Sequence, residues 1–140
     1  MGSVKDLKSL KGSMGASNMF ATAVNCMDGR AQLPVFEYMK TRYGVDYVDM
    51  ITEPGPNKIL TENGDRAAIE SIKRRVEISV ERHNSKQIAI VGHHDCAGNP
   101  TDKKTQIAQI LSSIKTVKSW GFDVQITGLW VDENWRVCEV

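Results

Sequence analysis

Two short stretches hold residues whose types and spacing could do chemistry: CMDGR at 26–30 and GHHDCAG at 92–98. The first sets a thiol, a carboxylate and a guanidinium at alternate positions, Cys26, Asp28 and Arg30; the second sets an imidazole, His93, three residues before a thiol, Cys96. Two thiolates and one imidazole form a borderline-soft donor set suited to zinc (Zn2+). Three protein ligands leave the fourth tetrahedral position open, as in catalytic rather than structural sites. Zinc lowers the pKa of a bound water from about 15.7 to about 7, which makes a hydroxide nucleophile at neutral pH for a small electrophile with a carbonyl-like carbon. Asp28 would orient that hydroxide by accepting its proton, and Arg30 would keep the carboxylate ionised and in place. The same residues allow an alternative in which Asp28 is itself the fourth ligand and shuts the site until it swings back to Arg30.

Each stretch follows an uncharged strand. MFATAVNC at 19–26 and KQIAIVGH at 86–93 are apolar runs of strand length, the pattern of strands covered on both faces. Between them, Val35, Phe36, Met39 and Tyr43 recur at helical spacing after Pro34 and before the stop at Gly44. DYVDMIT then reads as a strand ended by EPGPN. The segment NGDRAAIESIKRRVEISVERH reads as a helix capped by Asn63 or Asp65, with Ile69, Ile72, Val76 and Val80 on one face. TDKKTQIAQILSSIKTVKSWG gives a further helix with Ile107, Ile110, Leu111, Ile114 and Val117 inward, and DVQITGLW and WRVCEV close the chain as a hairpin. This alternation predicts an α/β fold with a short, mostly parallel sheet flanked by helices; if the third strand returns beside the first on the side away from the second, the order is 2-1-3-4 plus a C-terminal antiparallel strand. In that order the tips of strands 1 and 3 are neighbours at the topological switch point, where open α/β sheets bind ligands. Cys26, His93 and Cys96 then converge.

CMDGR and GHHDCAG, about 65 residues apart and each behind an apolar strand, resemble the Cys-x-Asp-x-Arg and His-x-x-Cys signatures of the β-class carbonic anhydrases. The resemblance runs from about Met19 to the C-terminus. It implies zinc held by Cys26, His93 and Cys96, a catalytic dyad of Asp28 and Arg30, and reversible hydration of carbon dioxide to bicarbonate by a zinc-bound hydroxide. It also implies a homodimer or higher homo-oligomer with the site near the subunit boundary. The family commonly carries an Arg-Asn-Ala-Gly-like loop after the second strand, where this chain has TEPGPN, so the pocket wall differs and includes Glu53. That difference admits another small electrophile, such as carbonyl sulfide or carbon disulfide, as an alternative substrate. A non-catalytic zinc protein with Asp28 as fourth ligand is the other alternative.

The remaining features take structural readings. His94 is expected exposed, Asp95 to accept from Arg30 or a helix-start amide, and Cys138 to be core. The KRR run at 73–75 is expected on a solvated face. Trp120, Trp130 and Trp135 are expected to be core packing, with a dimer contact as the other use of one of them. The first 18 residues, rich in Gly, Ser and Lys, read as a flexible arm before a single zinc-binding domain at 19–140. A net charge of +1 and a charged fraction of 25% carry no footprint for nucleic acid or an anionic membrane. No apolar run reaches the roughly 20 residues of a bilayer span, and three cysteines fit metal ligation better than disulfides, so a cytoplasmic protein is expected.

Overall fold

The computed structural model describes residues 18–140; of the expected arm, all but Asn18 lies outside the described residues. Five strands form one sheet: β1 (Phe20–Cys26), β2 (Tyr47–Glu53), β3 (Gln87–His93), β4 (Gln125–Val131) and β5 (Val137–Glu139). Their order is β2-β1-β3-β4-β5, parallel except for the β4–β5 pair, which is the order expected when the third strand returns beside the first. The helices are α1 (Gln32–Tyr43), α2 (Pro56–Glu62), α3 (Arg66–Arg82) and α4 (Lys103–Lys118).

Strand alternation sends side chains to two cores. On one face Val24, Ile88, Ile90 and Trp130 pack with Leu60 of α2, Ile69, Ile72 and Val76 of α3, and Ile110 and Val117 of α4. On the other, Ala21, Ala23, Ala89, Val91, Leu129 and Val131 meet Val35 and Met39 of α1. Small alanines on β1 and β3 let α1 approach closely on that second face.

Helix ends follow local chemistry. Gly44 closes α1 in the left-handed conformation, and Asp65 caps α3 by accepting the Ala68 N–H at 3.0 Å. Asn63 instead closes α2, a helix that the breaker-rich EPGPN did not predict: Pro56 sits at its first position, where a missing N–H costs nothing. Three expectations need correction. Cys138 is exposed among the described residues, on β5 at the edge of the sheet. Leu111 is exposed, one residue off the buried stripe through Gln106, Ile110, Ser113 and Val117. Arg75 of the KRR run is not simply solvated: it turns back to the sheet and pairs with the Glu53 carboxylate.

Candidate metal centre

β1 and β3 stay in register only from Thr22↔Ile88 to Val24↔Ile90, and beyond that point their tips part. The freed Val91 carbonyl accepts from Asn57 Nδ2 at 2.8 Å, and the Cys26 N–H turns to the side chain of its neighbour Asn25 at 2.8 Å. The parted tips make room for side chains at the switch point. Cys26 comes from the end of β1, His93 from the end of β3, and Cys96 from the turn that follows.

The three converge. Their donor atoms lie within 4.8 Å of one another, and all three residues are buried. Cys26 Sγ is 3.8 Å from Cys96 Sγ. His93 Nδ1 bonds the His94 carbonyl at 2.7 Å, which fixes the ring and leaves Nε2 facing the sulfurs. Nε2 is buried and has no hydrogen-bond partner among the described residues. A buried orphan nitrogen costs about 1–3 kcal/mol, and a cation between it and two thiolates removes that cost, so the donor set fits zinc.

The electrostatics point the same way. The hydrogen bond from Cys96 to Cys26 pulls the Cys26 thiol well below its ordinary pKa against the opposing effect of burial, with His93 adding to the pull. That bond pushes Cys96 up, and burial adds to the rise. Burial works against a charged His93, but the Cys26 sulfur, the His94 carbonyl and Asp28 outweigh it and raise the imidazole. In the metal-free chain the cluster thus favours one negative sulfur, that of Cys26, beside a raised imidazole.

Asp28 and Arg30 stand at the rim. The Asp28 side chain accepts the Arg30 backbone N–H at 2.9 Å, Nε–H at 3.1 Å and Nη2–H at 2.7 Å. The hydrogen bonds from Arg30 hold the Asp28 carboxyl at about 2, against a smaller effect of burial. Asp28 is ionised at neutral pH, with Oδ2 3.9 Å from His93 Nε2. Asp95 takes the far side of Arg30, accepting Nη1–H at 3.3 Å and, through its carbonyl, Nη2–H at 3.1 Å. His94 is exposed, as expected, but its backbone ties the turn down by donating to the Val131 carbonyl at 2.9 Å.

Glu53 does not line the site with its carboxylate. It is drawn to Arg75, and only its carbonyl serves the turn, accepting the Met27 N–H at 3.0 Å. What the TEPGPN loop supplies instead is close packing. A Cβ on Gly98 would stand 2.5 Å from the Pro54 carbonyl carbon, and one on Gly55 would stand 2.8 Å from Gly98, so the two loops flanking the thiols touch backbone to backbone.

Sequence reasoning missed several supporting residues. Gln32 donates to the Cys26 carbonyl at 2.6 Å, Gln106 to the His93 carbonyl at 2.9 Å, and Asn25 to the Ala31 carbonyl at 3.1 Å. Their signal was present. Asn25 interrupts an apolar strand next to a ligand residue, and Gln106 sits in the buried stripe of α4. Of the tryptophans, Trp130 is core, whereas Trp135 lies over the Arg30 guanidinium with its ring 4.5 Å from Cζ.

A comparison with curated proteins gives no match. Among solved structures the chain is similar to β-carbonic anhydrase isoform I of Trichomonas vaginalis, at 15% identity over 99% of this chain and 97% of that one, with a TM-score of 0.59. It is also similar to the tetrameric β-carbonic anhydrases of the filamentous ascomycete Sordaria macrospora, at 15% identity over 97% and 87% of the two chains and a TM-score of 0.56. A carbonic anhydrase from Glaciozyma antarctica follows, at 14% identity, 96% and 90% coverage and a TM-score of 0.53. At these identities the likeness is one of fold. The family model described as "Putative carbonic anhydrase" matches residues 16–140 and so spans both signatures and every strand. The chain belongs to that carbonic anhydrase family, with the β-class fold.

Proposed function

We propose that this protein is a zinc-dependent carbonic anhydrase that interconverts carbon dioxide and bicarbonate, with Cys26, His93 and Cys96 as ligands and Asp28 and Arg30 as the working dyad. The observation that carries this reading is the buried, partnerless Nε2 of His93 facing two thiols beside an ionised carboxylate. Zinc in such a set supplies Lewis acidity that brings the ionisation of water into the neutral range.

The rest of the chemistry falls to the chain. Asp28 stays ionised because Arg30 holds it, so it accepts a hydrogen bond from the attacking water and never competes as a donor. That bond aims the oxygen lone pair at the carbon of carbon dioxide. Arg30, anchored on Asp28 and Asp95, keeps the carboxylate from rotating as charge builds on the product. The His94 carbonyl fixes the His93 ring, and Gln32 and Gln106 hold the backbone of the two strand tips, so the ligands need little rearrangement.

The family membership and the tetrameric Sordaria macrospora structures support a homo-oligomer, and we place this chain in one. The test of function is direct. Purified protein should hold one zinc per chain and hydrate carbon dioxide in stopped-flow assays, and Asp28→Ala should abolish the activity with zinc retained. Full zinc content with no hydration from neutral to alkaline pH would refute the assignment.

A further inference from the structure

Among the described residues five non-glycines adopt positive φ: Asn18, Asn63, Asn84, Asp95 and Trp135. Asparagine tolerates the left-handed region well, and aspartate less so. A bulky tryptophan there is an outlier, and such outliers persist where the surrounding structure over-determines them. The two that are not asparagine, Asp95 at φ 57° and Trp135 at φ 59°, both touch Arg30.

The loop carrying Trp135 is built to hold it there. Asp132 accepts the backbone N–H of Asn134 at 2.8 Å and of Arg136 at 3.0 Å through its carboxylate, and its carbonyl accepts the Trp135 N–H at 2.9 Å. The half-buried indole packs on the α1-side core with the Arg30 guanidinium carbon over its ring, while the guanidinium N–H groups are taken by Asp28 and Asp95. The indole also lies 6.1 Å, ring centre to ring centre, from His93.

The position of Asp28 gives this packing a purpose. Its Oδ2 is 3.9 Å from His93 Nε2, close enough that a divalent cation held by His93 and the two thiolates would draw the carboxylate onto itself. What opposes that collapse is the grip of Arg30. We propose that Trp135 is a positioning residue that seats Arg30 so that Asp28 is held back from the fourth ligand position, keeping the site open. This rests on the zinc reading above and adds to it the residue that sets the balance between open and closed.

The experiment uses cobalt(II)-loaded protein, with thiocyanate binding at the fourth position followed by visible absorption. Wild-type protein should bind thiocyanate. Trp135→Leu, which stays apolar but loses the aromatic face, should weaken that binding roughly tenfold, the order expected for losing a partly desolvated cation–π contact. Trp135→Phe should restore most of it. Adding Asp28→Ala to Trp135→Leu should also restore it, because the competing carboxylate is gone; a merely structural defect would not be rescued in that way.

Equal thiocyanate affinity in wild type and Trp135→Leu would overturn the proposal, as would failure of Asp28→Ala to rescue. A second readout needs neither metal nor variant. In metal-free wild-type protein the Arg30 Nε–H should show a ring-current shift and slow exchange in NMR spectra, and a freely exchanging, unshifted signal would refute the seat. Failure of wild-type protein to take up cobalt would defeat the zinc reading and this proposal together. Cobalt uptake with no role for Trp135 would defeat this proposal alone.

Discussion

Two clusters of polar groups share β1 and β3, and they are built on opposite rules. In the N-terminal half of the sheet, Thr22 bonds Ser79 at 2.6 Å and Ser85 at 2.7 Å, and Ser79 donates to Asp49 at 2.7 Å. Asp49 is also 2.7 Å from His83 Nδ1, and Gln87 donates to Thr127 at 2.7 Å. There the named side chains all have partners. At the other end, His93 Nε2 and Asn57 Oδ1 have none among the described residues, and two thiols face each other at 3.8 Å. A satisfied network fastens α3 to the sheet and asks for nothing more. An unsatisfied one, enclosed by the same sheet, marks where a ligand completes the structure.

Variants at the two ends should therefore fail in different ways. The largest effect is expected from Cys96→Ser, which should abolish zinc retention and carbon dioxide hydration. Its metal-free unfolding free energy should change by no more than about 1 kcal/mol, since serine differs from cysteine by one atom and keeps its shape. Asp28→Asn should keep zinc and lower kcat by about 10²–10⁴-fold, the range for loss of a positioned proton acceptor. Gly98→Ala forces a methyl group against the Pro54 backbone and should push the two loops apart. Equilibrium dialysis should then show zinc affinity reduced by about 10–100-fold, as for other losses of outer support to a metal site.

At the satisfied end, Thr22→Val leaves Ser79 and Ser85 short of a buried partner. It should cost about 1–3 kcal/mol in urea unfolding while activity per bound zinc stays unchanged.

The smallest effect is a pH dependence carried by Asp102, which caps α4, the helix whose Gln106 holds the His93 carbonyl. Hydrogen bonds from Thr105, side chain first and then backbone, lower the Asp102 pKa below the usual carboxylate value. Its cap is thus fully present above about pH 3.9 and lost as pH falls through the lower folded value. Thermal melts of Asp102→Asn, whose acceptor does not titrate, should fall less steeply in acid than those of the wild type.

The contrast between the two ends also separates what was legible in the sequence from what was not. The two central strands were legible as uncharged runs that end in ligand-type residues, because both faces of a central strand must be apolar; the convergence of Cys26, His93 and Cys96 then needed only that the third strand return beside the first, as it does. The Asp28–Arg30 pairing followed from spacing alone. Helix α2 did not, because proline and glycine in EPGPN signal a turn whether or not a helix starts on it. Cys138 was misread because a three-residue edge strand has the same apolar content as a buried one. The Thr22 network and the Trp135–Arg30 contact were invisible for a shared reason: each joins residues 57 or more positions apart through side-chain direction, which local pattern does not encode.

The most direct measurement is zinc-edge X-ray absorption on protein purified at neutral pH. The account predicts one zinc per chain with two sulfur neighbours and two nitrogen or oxygen neighbours, and loss of the metal in Cys96→Ser. Metal-free protein, or a shell that holds no sulfur, would contradict it.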